Sequence, residues 1–142
     1  MSKIPRGIKN HNPGNIRISS TNWQGEVPGE DEVFETYASP VFGLRAIGVL
    51  FLNYQKRYGL KTIRDLINRY APPSENDTDA YVTLVAGRVG VFPDTPIVVA
   101  DHLRSILPAI VRQEVGKPMD RADWYDDATY DEATSMALKA VG

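Results

Sequence analysis

A chain of 142 residues, 42% hydrophobic and 24% charged, has the size and balance of one globular domain. Its net charge of −2 and pI near 5.7, with no Lys/Arg block, argue against nucleic acid as a partner. The absence of cysteine excludes disulfides, thiolate metal sites and thiol catalysis, and two histidines, His11 and His102, are too few for a histidine-built metal site.

The opening MSKIPRGIKN lacks the apolar core of a signal peptide, and no apolar run approaches the length of a membrane span. The expectation is a protein made in the cytoplasm without a signal peptide and without a membrane partner. Residues 1–39 are rich in Gly, Pro and Asn. Within them NIRIS (15–19) and VFETY (33–37) alternate apolar and polar residues, which predicts a small antiparallel sheet. NHNPGNIR (10–17) is turn chemistry, with Gly14 marking either a special backbone conformation or a close approach.

From Pro40 the period becomes helical. Ser39 is the expected N-cap and Pro40 the first residue of a helix whose stripe is Leu44, Ile47, Leu50, Phe51 and Tyr54, ended by Gly59. A second helix starts after Thr62 and stops at Pro72 and Pro73. A third starts at Asp77 or Thr78. A fourth spans 95–115, where Pro108 should kink or split it. Residues 117–128 read as loop and DEATSMALKAVG (131–142) as a last helix. The fold class is α+β, mostly α: one domain, with a small sheet and loops over 1–39 and a helical part over 40–142.

Chemistry concentrates in a few places. Leu103, Ile106, Leu107 and Ile110 mark one face of the fourth helix, and the next step of four arrives at Glu114. Partial burial and the negative end of the helix dipole both disfavour its charged form. A carboxylic acid that keeps its proton is what a general acid requires. The plainer alternative has Glu114 facing water beside Lys117 or Arg112. In PPSENDTDAYV the helix N-terminus offers free N–H groups beside Tyr81, which is either a core residue or a platform for a sugar. Glu26, Glu30, Asp31, Glu32 and Glu35 form either a solvated face or a source of a second carboxylate. Trp23 either stacks on a sugar or packs on the sheet.

RGIKNHNPGNIR, NWQG, VFETYASPVFGLRAI and APPSENDTDAYV, in this order, resemble a family of small phage and prophage structural or lytic proteins; the resemblance covers residues 5–116. A remoter resemblance is to lysozyme-like murein hydrolases, the goose-type lysozymes and lytic transglycosylases. There a helix ends in a catalytic Glu, a loop like NPGNIR follows, and a later helix begins with a Glu-Thr-x-x-Tyr-Val pattern. AIVRQEVG (109–116) resembles the first element, with Glu114 in place of the acid. NPGNIR (12–17) resembles the second, and DTDAYV (77–82) the third. Here Val115 stands where the enzymes have Ser, and Asp77 where they have Glu. The order also differs, since the acid follows the loop by about a hundred residues, as in a circularly permuted domain.

The resemblance implies a lysozyme-like single domain that cleaves the β-1,4 bond between N-acetylmuramic acid and N-acetylglucosamine. It implies Glu114 as the catalytic acid and base, and Asn12, Asn15, Glu75, Thr78 and Tyr81 as residues lining a substrate cleft. No metal or cofactor is implied. The expected partners are peptidoglycan glycan strands and other phage virion proteins. The protein would act on the cell wall, from the virion or after release at lysis. The alternative is a non-catalytic virion structural or tail-associated protein that keeps the fold. The discriminating geometry is whether Asn12 to Arg17 lies beside the end of the AIVRQEVG helix.

Overall fold

The structure is a computed structural model that describes residues 4–142. Among the described residues the chain forms six helices and one two-stranded antiparallel sheet. The helices are α1 (Arg6–Lys9), α2 (Pro40–Tyr58), α3 (Ile63–Tyr70), α4 (Thr78–Val89), α5 (Val99–Val115) and α6 (Asp127–Val141). The strands are β1 (Glu26–Val27) and β2 (Thr36–Tyr37), with Glu26 opposite Tyr37 and Val27 opposite Thr36. The chain is therefore α+β and mostly α.

The expected helices form, for the expected reasons. Leu44, Ile47 and Phe51 are fully buried, while Leu50 and Tyr54 sit at the edge of the α2 stripe. Gly59 ends α2 in the left-handed conformation at φ 66. Thr62 caps α3 by accepting the Asp65 N–H, and Asp77 caps α4 by accepting the Ala80 N–H. Ser39 occupies the N-cap position of α2, but its side chain makes no capping bond.

Four boundaries differ. α5 starts at Val99, because the Ile97 N–H is bonded to Lys61 O and Val98 stays extended. The Val99 N–H is instead accepted by Gln55 Oε1 at 2.8 Å, while Gln55 Nε2 donates to Leu60 O and Ile97 O. Pro108 does not split α5, which continues through it to Val115. α6 begins four residues before Asp131, capped by Asp126 through the Thr129 N–H. NIRIS makes only one bridge, Arg17 to Phe34, and β1 rather than NIRIS pairs with the end of VFETY. The Ile16 N–H is already taken by the Asn12 side chain, so that ladder cannot extend. The single-turn α1 was not anticipated from the sequence.

α2 is the central helix. It packs on α6 where Gly48 meets Ala137, and the small buried residues Ala133 and Ala137 let the two backbones come close. α5 lies beside it, with Leu103, Ile106, Leu107 and Ile110 buried as the stripe requires. α3 and α4 close over α2 and α5. The NHNPGNIR loop rests on this helical body. A Cβ on Gly14 would collide with the Tyr70 hydroxyl and come within 2.7 Å of Ile47 Cγ1. Gly14→Ala should therefore lower stability by about 1–3 kcal/mol, the usual scale for overpacking. Urea unfolding of the two proteins measures the difference.

Candidate active site

Asn15 and Glu114 are separated by 99 residues in sequence, and their side chains touch. The Asn15 Nδ2 donates to Glu114 Oε1 at 3.0 Å, and the Tyr81 hydroxyl donates to Glu114 Oε2 at 2.8 Å. The N-terminal loop thus does lie beside the end of α5.

Each partner arrives by a local cause. Glu114 continues the buried face of α5 by one turn and stands half-buried where that face runs out. Gly116 then turns the chain at φ 73, and the Trp124 indole donates to its carbonyl. Asn15 has φ 51, a left-handed conformation that Asn tolerates better than most side chains. The loop before it is held from inside. Asn12 is fully buried, with Nδ2 donating to Ile16 O and Glu35 O and Oδ1 accepting the Ile16 N–H. Gly7 makes room for the loop against α5: a Cβ there would lie 2.8 Å from Val115 Cγ1 and 2.9 Å from Asn12 O.

Beside the Glu114 carboxyl opens a cleft of about 460 Å³, within the range of small-ligand sites. Gly14, Asn15 and Arg17 form one wall; Arg69, Tyr70, Pro72, Glu75 and Asn76 form the other; Tyr54 and Leu50 lie between. The Tyr70 hydroxyl donates to Gly14 O at 2.5 Å and ties the walls together.

Of the residues expected to line a cleft, Asn15 and Glu75 do. Tyr81 is buried and acts on the Glu114 carboxyl. Asn12 and Thr78 are buried and build the walls rather than face the opening. The Thr78 hydroxyl donates to Ala71 O at 2.6 Å and fixes the turn that presents Glu75. None of the five hairpin acids is among the cleft-lining residues. Asp31 binds Arg6 through both oxygens, and that guanidinium holds its carboxyl well below the usual carboxylate range. Glu35 is buried, and burial together with the neighbouring Glu26 pushes its carboxyl up. Trp23 packs against the core. Tyr70 and Arg69 were missed in the sequence, although Tyr70 lies one turn beyond Leu66 on the buried face of α3.

Burial raises the Glu114 pKa above its ordinary 4.5, and the hydrogen bonds from Asn15 and Tyr81 oppose the rise without cancelling it. Burial also keeps the Tyr70 and Tyr81 hydroxyls protonated, so both remain donors. The arrangement is a protonatable carboxyl of fixed orientation on a polar cleft. Among the described residues no group of three or more His, Asp or Glu side chains is placed to hold a metal ion.

A raised folded-state pKa has a stability consequence with a definite sign. Folded stability from Glu114 is fully present below pH 4.5 and is lost as pH rises through the folded pKa. Glu114→Gln keeps an acceptor for only one of Asn15 and Tyr81, but it does not ionise and so lacks that pH-dependent loss. The variant should therefore be more stable than the wild type at pH 8, relative to their difference at pH 4. Thermal melts of both proteins across this range measure it.

No family model matches the sequence. The chain is similar to Protein P5 of Pseudoalteromonas phage PM2, 32% identical over 136 residues that span 93% of this chain and 79% of that protein. With that identity over nearly its whole length, the chain belongs to the phage protein family of Protein P5 of PM2.

Proposed function

We propose that the protein is a phage peptidoglycan glycosidase, a muramidase or lytic transglycosylase, with Glu114 as its general acid and base. The observation that supports this most is the placement of Glu114: half-buried, raised in pKa, and held by Asn15 and Tyr81 on the edge of a cleft. The loop NPGNIR and the helix end AIVRQEVG meet there, in the arrangement a circularly permuted lysozyme-like domain requires.

In this reading a glycan strand lies along the cleft between the Asn15 wall and the Glu75 wall. Protonated Glu114 gives its proton to the oxygen of the β-1,4 bond between N-acetylmuramic acid and N-acetylglucosamine. The C1–O bond breaks and positive charge develops at C1 of the muramyl residue. The Glu114 carboxylate then takes a proton from water or from the muramyl 6-hydroxyl as that oxygen bonds to C1. Water gives a reducing end, and the 6-hydroxyl gives an anhydro end. None of the hairpin acids lines the cleft, so the one carboxylate there besides Glu114 is Glu75; the 6-hydroxyl route needs no second acid, and the water route would draw on Glu75. Asn15 and Tyr81 fix the two oxygens of Glu114, so that the proton is presented in one direction.

The alternative is a non-catalytic virion protein that keeps this fold and binds glycan or partner proteins; the half-buried acid at the edge of the cleft favours the enzyme. An exposed Glu114, with no cleft beside NPGNIR, would have favoured that alternative.

Glu114→Gln should reduce murein cleavage on a zymogram by about 10²-fold or more while the protein stays folded. Unchanged clearing would move the acid elsewhere, with Glu75 the first candidate. Tyr81→Phe removes a bond that stabilises the charged carboxylate, so the Glu114 pKa rises further. The alkaline limb of the pH–rate profile should then shift to higher pH. A limb that stays in place would dissociate it from Glu114.

A further inference from the structure

Two guanidiniums stand in the cleft wall with no assigned task. Arg17 follows Asn15 on one side, and Arg69 closes the end of α3 on the other. Both side chains are exposed, and neither forms an ion pair among the described residues. Each is positioned by an aromatic ring. The Arg69 Cζ lies 3.8 Å from the centroid of the Tyr58 ring and 5.6 Å from that of Tyr54. The Arg17 Cζ lies 5.8 Å from the centroid of Phe34.

Neither guanidinium makes an ion pair among the described residues, and its planar N–H fork matches a carboxylate. Arg6 makes the contrast. It too lies over Phe34, at 4.6 Å, but its donors already bind Asp31. Among cleft residues only Glu75 and Glu114 are acidic. Neither forms an ion pair with Arg17 or Arg69 among the described residues.

Resting on the glycosidase reading, we infer that Arg17 and Arg69 are a carboxylate-reading pair that makes the cleft favour acidic glycan strands over uncharged ones. The carboxylate belongs either to the lactyl ether of a bare muramyl residue or to the peptide stem attached to it. The pair sets substrate preference and takes no part in the proton transfer.

The test is calorimetric binding to the full-length Glu114→Gln protein, which removes turnover. The probes are chitohexaose, glycan strands stripped of stems by an amidase, and strands that keep their stems. At least one acidic strand should bind about tenfold more tightly than chitohexaose, the effect of one charge-assisted contact. That preference should shrink at high salt. Adding Arg69→Gln, or Arg17→Gln with Arg69→Gln, should bring the ratio toward one. Arg69→Lys should restore only part of it, because an ammonium keeps the charge and loses the fork. Preference for stripped strands assigns the lactyl carboxylate; preference only for intact strands assigns the stem. Equal binding of acidic and neutral strands overturns the inference, as does a preference that survives the double substitution. If the wild type nevertheless cuts murein, the glycosidase reading stands without the inference. No binding to any probe, with no cutting by the wild type, removes both.

Discussion

A carboxyl at the end of an apolar helix face is costly unless donors reach it, and the site is organised around meeting that demand. The face of α5 carries Leu103, Ile106, Leu107 and Ile110 into the core and then presents Glu114. Its donors come from far apart in sequence: Asn15 from the N-terminal loop and Tyr81 from α4. Bringing Asn15 there fixes the rest of the loop. Gly7 must lack a side chain for the first turn to pass Val115, and Gly14 must lack one for the loop to lie under Tyr70. Asn12 must be buried to hold Ile16, and Arg6 and Asn10 must bind Asp31 to dock the hairpin. A stretch that is poor material for regular structure is therefore held by side-chain bonds instead.

The same demand accounts for the chemistry. Two donors are enough to orient the carboxyl, and too few to keep it as acidic as it would be in water. The result is a carboxyl that holds its proton to higher pH than a free glutamate does. It faces a cleft with polar walls, cross-tied by the Tyr70 hydroxyl. Thr78 and the Asp77 cap hold the turn that carries Glu75, so the second wall is as defined as the first.

Much of this was legible from spacing. A polar residue standing where a stripe calls for an apolar one marked Glu114. Gln55, one turn after Phe51 on α2, was not singled out in the same way, although it is the side chain that starts α5. The helix caps at Thr62 and Asp77 and the stop at Gly59 follow from local chemistry alone. What spacing could not supply was long-range. NIRIS reads as a strand, but the Asn12 side chain captures the Ile16 backbone and leaves only one bridge. Asn12 and Thr78 are expected in the cleft because NPGNIR and DTDAYV resemble cleft motifs of lysozyme-like enzymes. Their partners, the backbone carbonyls of Ile16, Glu35 and Ala71, turn them inward. Which hairpin acid is free for chemistry also depends on partners remote in sequence, since Asp31 is claimed by Arg6.

Mass analysis of the fragments released from purified murein tests the central claim most directly. The account predicts disaccharide-peptide products cut at the muramyl C1 by the wild type, ending in anhydro-muramic acid if the 6-hydroxyl attacks and in a reducing sugar if water does. Fragments cut within the peptide stems while the glycan strands stay intact would contradict it.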